Sequence, residues 1–125
     1  MRRHRLVTVS AIVLVVLLAG VRAADVTGTW SATFDSQVGQ QQYTYQFTVQ
    51  GSELTGTAKG SLTGEAKIAD GKVDGQKISF VENTSFMEVP LRIEYSGTMT
   101  SADEIKLSRK VGDVGTEELV AKRVK

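Results

Sequence analysis

The sequence contains no cysteine, a single histidine (His4), one proline and one tryptophan. Without cysteine there is no disulfide, no thiolate nucleophile and no lipid anchor of the lipobox type. His4 lies in an N-terminal segment expected to be removed, so the remaining chain has no imidazole. Ser-His-Asp triads, zinc sites of the His/Cys type and histidine-ligated haem are thereby excluded from it. The glycine-rich stretch from Gly56 to Gly64 lacks both the lysine-serine/threonine ending of a phosphate loop and a following helix. No cofactor and no metal is expected, and no catalytic residue is assigned. Asp70-Gly71 and Asp74-Gly75 are read first as turns rather than as calcium ligands.

The chain does have a leader. Arg2, Arg3 and Arg5 precede an apolar run from Leu6 to Ala19, followed by Gly20-Val21-Arg22-Ala23. A basic start, an apolar centre and small residues before a cut describe a secretory signal peptide, with cleavage expected after Ala23. The apolar run falls short of the roughly 18 to 20 residues of a spanning helix, so no stable membrane insertion is expected after cleavage. Arg5 occupies a position where a twin-arginine signal wants an apolar residue, which favours general secretion. The expectation is a signal peptide over 1–23 and one secreted or periplasmic domain over 24–125.

Removal of the leader takes four of the 15 Lys+Arg and none of the 14 Asp+Glu, so 11 basic residues face 14 acidic ones, a net charge of −3. A mildly acidic chain of mixed charge argues against a nucleic-acid partner. With no disulfides available, a domain of this size depends on closing one well-filled core.

From Gly28 onward apolar residues alternate at period two, with no amphipathic helical run. Trp30, Ala32 and Phe34 share one face of the first run, and Tyr43, Tyr45, Phe47 and Val49 share one face of the second. Later inward sets are Leu54, Gly56 and Ala58, then Ala66 and Ile68, then Ile78 and Phe80. They continue with Leu91, Ile93, Tyr95, Gly97 and Met99, then Ile105 and Leu107, then Leu119 and Ala121. Val73 is out of step with Ile68, which predicts a bulge at Asp70-Gly71. Eight runs joined by short links predict an all-β fold, an eight-stranded antiparallel up-and-down barrel. A two-sheet sandwich is the rival, and the scarcity of long connections favours the barrel.

Antiparallel order assigns the ends. With the first strand rising from Trp30, tight links at Gly51-Ser52, Asp74-Gly75 and Ser101-Ala102 close the bottom. The top links read as longer: Asp35 to Gln40, Lys59 to Thr63, an irregular Asn83 to Val89, and Val111 to Thr116. Carrying the inward phase onward puts Glu82, Arg109 and Glu117 at the top and Arg123 at the bottom beside Trp30. Tyr43 and Tyr45 fall in the upper half. A ligand-binding mouth of Tyr43, Tyr45, Glu82, Phe86, Arg109 and Glu117 is one reading, and the other makes the charged residues an ordinary rim reaching water. Phe86 and Met87 are either a lid or a plug. The inward small residues leave a cavity or fit the taper of a narrow barrel, and both options stand.

Gly28-x-Trp30 at the start of the first strand, with Arg123 near the end of the last, resembles the calycin group of lipocalins, fatty-acid-binding proteins and avidins. That resemblance implies that Trp30 and Arg123 pack together at the closed end. Gly51-x-x-Leu54-Thr55-Gly56 is similar to the second-to-third-strand turn of avidins. Gly28-Thr29-Trp30, Asp70 to Gly75, Ile78 to Asn83 and Glu117 to Arg123 are also similar to small secreted bacterial domains of the type attached to exported glycoside hydrolases. This implies an accessory role outside the cytoplasm, close to carbohydrate, and does not imply sugar cleavage.

Two functions follow as expectations. One is a non-enzymatic binding module holding a small or extended ligand, a glycan or an apolar molecule, at the open end. The other is a structural or protein-interaction domain with a filled barrel, an inhibitor or partner of a secreted hydrolase. Carboxylate-based hydrolysis by Glu82 and Glu117 remains chemically open, since it needs only two carboxyl groups flanking a bond.

Overall fold

The alternating runs become eight strands: β1 (Gly28–Ser36), β2 (Gly39–Gln50), β3 (Glu53–Gly60), β4 (Gly64–Asp74), β5 (Lys77–Phe86), β6 (Val89–Ser101), β7 (Glu104–Val111) and β8 (Gly115–Arg123). The computed structural model describes residues 25–125, so the leader and its cleavage after Ala23 lie outside the described residues. Each strand pairs antiparallel with the next and β1 pairs with β8, giving a closed up-and-down barrel. Closure buries one face of every strand, and the β1–β8 seam is the short one, with register partners only at Trp30–Arg123 and Ser31–Lys122.

The bulge follows from side-chain parity. Ile68 and Val73 both face inward although they are five residues apart, an odd number that a regular strand cannot accommodate. The register of β4 on β5 shifts between Ala69 and Lys72, and Asp70 takes a positive φ of 52° to absorb the extra residue. Two inward glycines serve close approach of neighbouring strands. A Cβ on Gly56 would lie 1.7 Å from the Gln46 carbonyl oxygen, and one on Gly97 would lie 2.3 Å from that of Lys106.

The links at the top are shorter than their sequences suggest. Only two or three residues separate successive strands at either end. The segment from Asn83 to Val89, expected to be irregular, is instead a hairpin in which β5 runs to Phe86 and β6 begins at Val89. Met87 and Glu88 form its turn with φ of 52° and 68°. Two successive positive φ values describe the mirror-image turn that matches strand twist, but such turns normally carry Asn-Gly. Met-Glu has no such signature, which is why the sequence reads as a loop.

At the bottom, Trp30 and Arg123 are cross-strand partners. Trp30 is fully buried and its indole Nε1 donates to the Val26 carbonyl at 2.9 Å. The Arg123 guanidinium lies 4.4 Å from the ring centroid. Its nitrogens donate to the carbonyls of Ala102 at 3.0 Å, Thr27 at 2.8 Å and Asp25 at 3.1 Å. One side chain thus ties the β6–β7 turn to the chain entering β1.

Truncation of Trp30 to Ala is expected to cost about 3 to 5 kcal/mol in urea unfolding, with the amide shifts of the top turns unchanged. Replacing Met87-Glu88 by Asn-Gly relieves two left-handed residues and is expected to stabilise the fold by about 1 to 2 kcal/mol. An unchanged midpoint in that double variant would contradict the turn geometry.

Candidate functional site

The interior is filled first by aromatic rings. Tyr43, Tyr45 and Phe47 follow one another down the inner face of β2 with centroids 5.4 and 5.7 Å apart. Phe80 stacks on its cross-strand neighbour Tyr95 at 4.3 Å and meets Phe47 edge-on at 5.3 Å. Offset and edge-to-face arrangements of this kind suit the ring quadrupoles and fill the middle of the barrel with aromatic contacts.

Above the rings lies a buried charged cluster. The register of β6, β7 and β8 sets Tyr95, Arg109 and Glu117 side by side, all facing inward. Glu82 is 0% exposed and Arg109 is 1% exposed. These two are therefore not rim residues reaching water. Tyr43 Oη donates to Glu82 Oε2 at 2.9 Å, and Tyr95 Oη donates to Glu82 Oε1 at 2.8 Å. Tyr95 Oη also accepts from Tyr45 Oη at 3.1 Å and from Arg109 Nη1 at 3.2 Å, which uses both its lone pairs. Because Tyr43 spends its proton on Glu82, the Thr63 hydroxyl, 2.8 Å away, donates to Tyr43.

The guanidinium of Arg109 sits among three rings, 5.0 Å from Phe34, 4.8 Å from Tyr43 and 5.5 Å from Tyr95. Such contacts strengthen when water is excluded. Its Nε lies 3.2 Å from Glu117 Oε1, close enough for an ion pair but out of line for a hydrogen bond. Burial pushes the Tyr43, Tyr45 and Tyr95 hydroxyls above their ordinary range, so they remain protonated donors and acceptors. Burial also raises the Glu82 carboxyl above 4.5, opposed by the hydrogen bonds from Tyr95 and Tyr43 and by the charge of Arg109.

The rings end at this cluster and a hollow of about 350 Å³ opens above it. Its walls include Phe86, Leu91 and Val111, and its polar border is Gln37, Gln41, Thr63, Arg109 and Glu117. Gln41 is 4% exposed and its Oε1 has no hydrogen-bond partner. Four exposed apolar side chains, Val38, Met87, Val89 and Val114, also border the hollow, Met87 being 82% exposed. A larger groove of about 630 Å³ lies open on the outer face of β4 to β6, beside Lys72, Lys77 and Thr98.

Of the six residues assigned to a mouth, Phe86, Arg109 and Glu117 border the hollow. Tyr43, Tyr45 and Glu82 lie beneath it as support. Phe86 is half-buried in the wall and Met87 points to solvent, so neither plugs the barrel. Only one of the two candidate carboxylates, Glu117, borders the space a substrate would occupy. Two contributors escaped sequence reasoning. Gln41 is inward by the same parity as Tyr43, and Tyr95 was legible only as a core residue. A scan against family models, curated proteins and solved structures finds no match to this chain. The eight-stranded antiparallel barrel itself is compatible with a calycin-like fold.

The raised Glu82 carboxyl sets a pH dependence with a definite sign. The folded state keeps this proton to higher pH than the unfolded chain does, so the favourable contribution is whole below about pH 4.3. It is lost as pH rises through the folded value. Glu82→Gln should therefore gain stability relative to the parent as pH increases from about 4 to about 8, measured by urea unfolding at a series of pH values. A difference constant across that window would refute the assignment.

Proposed function

We propose that this chain is an exported, non-enzymatic binding module that holds a small ligand, or the end of an extended one, in the hollow at the top of the barrel. The observation that carries this reading is the change in packing along the barrel axis. Rings occupy the interior up to Arg109, and above that level the wall residues Phe86, Leu91 and Val111 surround unfilled space. About 350 Å³ lies near the lower end of the roughly 300 to 1,000 Å³ typical of small-molecule sites. The largely apolar wall favours an apolar body over a glycan. Calycin kinship and an accessory role near exported hydrolases belong to the same proposal and rest on the sequence resemblance alone.

Absence of enzymatic activity is part of the reading. Glu82 is committed to two tyrosine hydroxyls below the hollow, which leaves no second carboxylate to flank a bond held beside Glu117.

A protein partner is the second reading, favoured by the collar of Val38, Met87, Val89 and Val114 exposed around the same mouth. Such a partner would cover the collar, whereas a small ligand would leave it in water.

The test is fluorescence of the apolar probe phenylnaphthylamine titrated into the protein, together with a Leu91→Trp variant that fills the hollow. Saturable enhancement is expected with the parent and at least a tenfold weaker response with the variant, whose fold is checked by thermal melting. No enhancement with the parent, or equal enhancement in both, would remove the small-ligand reading.

A further inference from the structure

The strand that opens the barrel and the strand that closes it meet over only part of their length. β1 pairs with β2 from Gly28–Phe47 to Ser36–Gly39, and β8 pairs with β7 from Lys122–Glu104 to Gly115–Val111. Against each other, β1 and β8 have register partners only at Trp30–Arg123 and Ser31–Lys122, near the bottom. Above Ser31 this seam has no ladder. The inward residues on either side of it, Ala32 and Phe34 in β1 and Leu119 and Ala121 in β8, are buried, so side-chain packing holds it shut.

At the top, one residue of the β1–β2 turn fastens the seam. The Gln37 backbone amide donates to Glu117 Oε2 at 3.0 Å, and its side-chain Nε2 donates to the Val114 carbonyl at 3.3 Å. Gly115 leaves the place for that side chain, since a Cβ there would collide with Gln37 Nε2. Both bonds are exposed, where water competes for the same groups. β4 and β5 also lack register partners above Ile68–Glu82, but their tie is different in kind. Thr84 Oγ1 donates to the Thr63 carbonyl, and the Thr63 hydroxyl continues through Tyr43 to Glu82. That side is tied through the buried cluster, whereas the bonds across the β1–β8 side are both at the surface.

Gln37, Val38, Val114 and Glu117 all border the hollow, so this clasp forms part of its wall. Taking the small-ligand reading above as its basis, we propose that the upper β1–β8 seam is the entrance to the hollow, with Gln37 as its clasp. The entrance opens when Gln37 releases Val114 and Glu117 and the β1–β2 turn swings away from β8. Opening breaks two exposed hydrogen bonds and no ladder, which is the kind of local motion that weakly held segments undergo. The Trp30–Arg123 contact keeps the lower seam closed, and pairing with β2 keeps β1 in the barrel.

Because the chain has no cysteine, an introduced pair reports on the seam alone. Continuing the register from Trp30–Arg123 and Ser31–Lys122 sets Thr33 opposite Val120, and both are exposed. In the double variant Thr33→Cys/Val120→Cys, stopped-flow uptake of phenylnaphthylamine is expected to be about tenfold slower when the pair is oxidised than after reduction. Thermal melting checks the fold in both states. Gln37→Ala is expected to speed uptake relative to the parent. Amide hydrogen exchange gives a second reading that needs no ligand. Amides directed into the seam over Thr33 to Asp35 and Glu118 to Val120 should exchange about tenfold faster than those of the β6–β7 ladder. If the pair does not oxidise, the exchange comparison decides the matter alone. Equal uptake in the oxidised and reduced states, or seam amides as protected as those of β6–β7, overturns the side entrance while leaving the pocket in place. No uptake by the reduced variant or the parent overturns the small-ligand reading itself.

Discussion

The upper half of this barrel depends on a guanidinium kept out of water. Arg109 is almost fully buried, and removing such a charge from solvent is costly unless the surroundings replace its hydration. They do so with three aromatic faces, a tyrosine hydroxyl and a carboxylate. Each substitute has a further demand of its own. Tyr95 accepts from the guanidinium and from Tyr45 and must then donate, and Glu82 is the acceptor that takes its proton. Tyr43 presents a face to Arg109 and its hydroxyl to the same carboxylate. One buried cation thereby accounts for a buried carboxyl group and for the placement of three tyrosines.

That network also marks where apolar filling stops. Below it, rings pack against rings, and the inward glycines let neighbouring strands approach closely. Above it, a wall residue reaching down would meet a plane whose free polar atoms it cannot satisfy. The wall side chains accordingly remain at the sides, and the hollow lies between them and the charge. Its position follows from the cluster and not from long loops, since every turn at either end has only two or three residues.

Much of this was legible because strand parity is a strong rule. It carried the inward phase from Phe80 to Glu82 and from Leu107 to Arg109, and it detected the bulge from Val73 alone. Parity reports which side of a sheet a residue faces, but not its height against strands across the barrel. Tyr95 illustrates that limit, because its partners Tyr45 and Glu82 are separated from it by 50 and 13 residues. No local pattern could have made it the hub. The Met87-Glu88 turn failed for a different reason, since its backbone is a standard hairpin while its residues are not those that stabilise it.

The two buried or half-buried arginines show why one end of the barrel is closed and the other is a candidate site. Both lie over aromatic rings and both have a carboxylate close by. Arg123 spends its donors on three backbone carbonyls that belong to segments needing to be tied, so its hydrogen bonding is complete within the fold. Arg109 meets side chains, and the buried atoms there without a hydrogen bond are Gln41 Oε1, Glu117 Oε1 and its own Nε. A closed end is one where donors and acceptors balance internally. By the same accounting the top is the end at which hydrogen bonding is left incomplete within the fold.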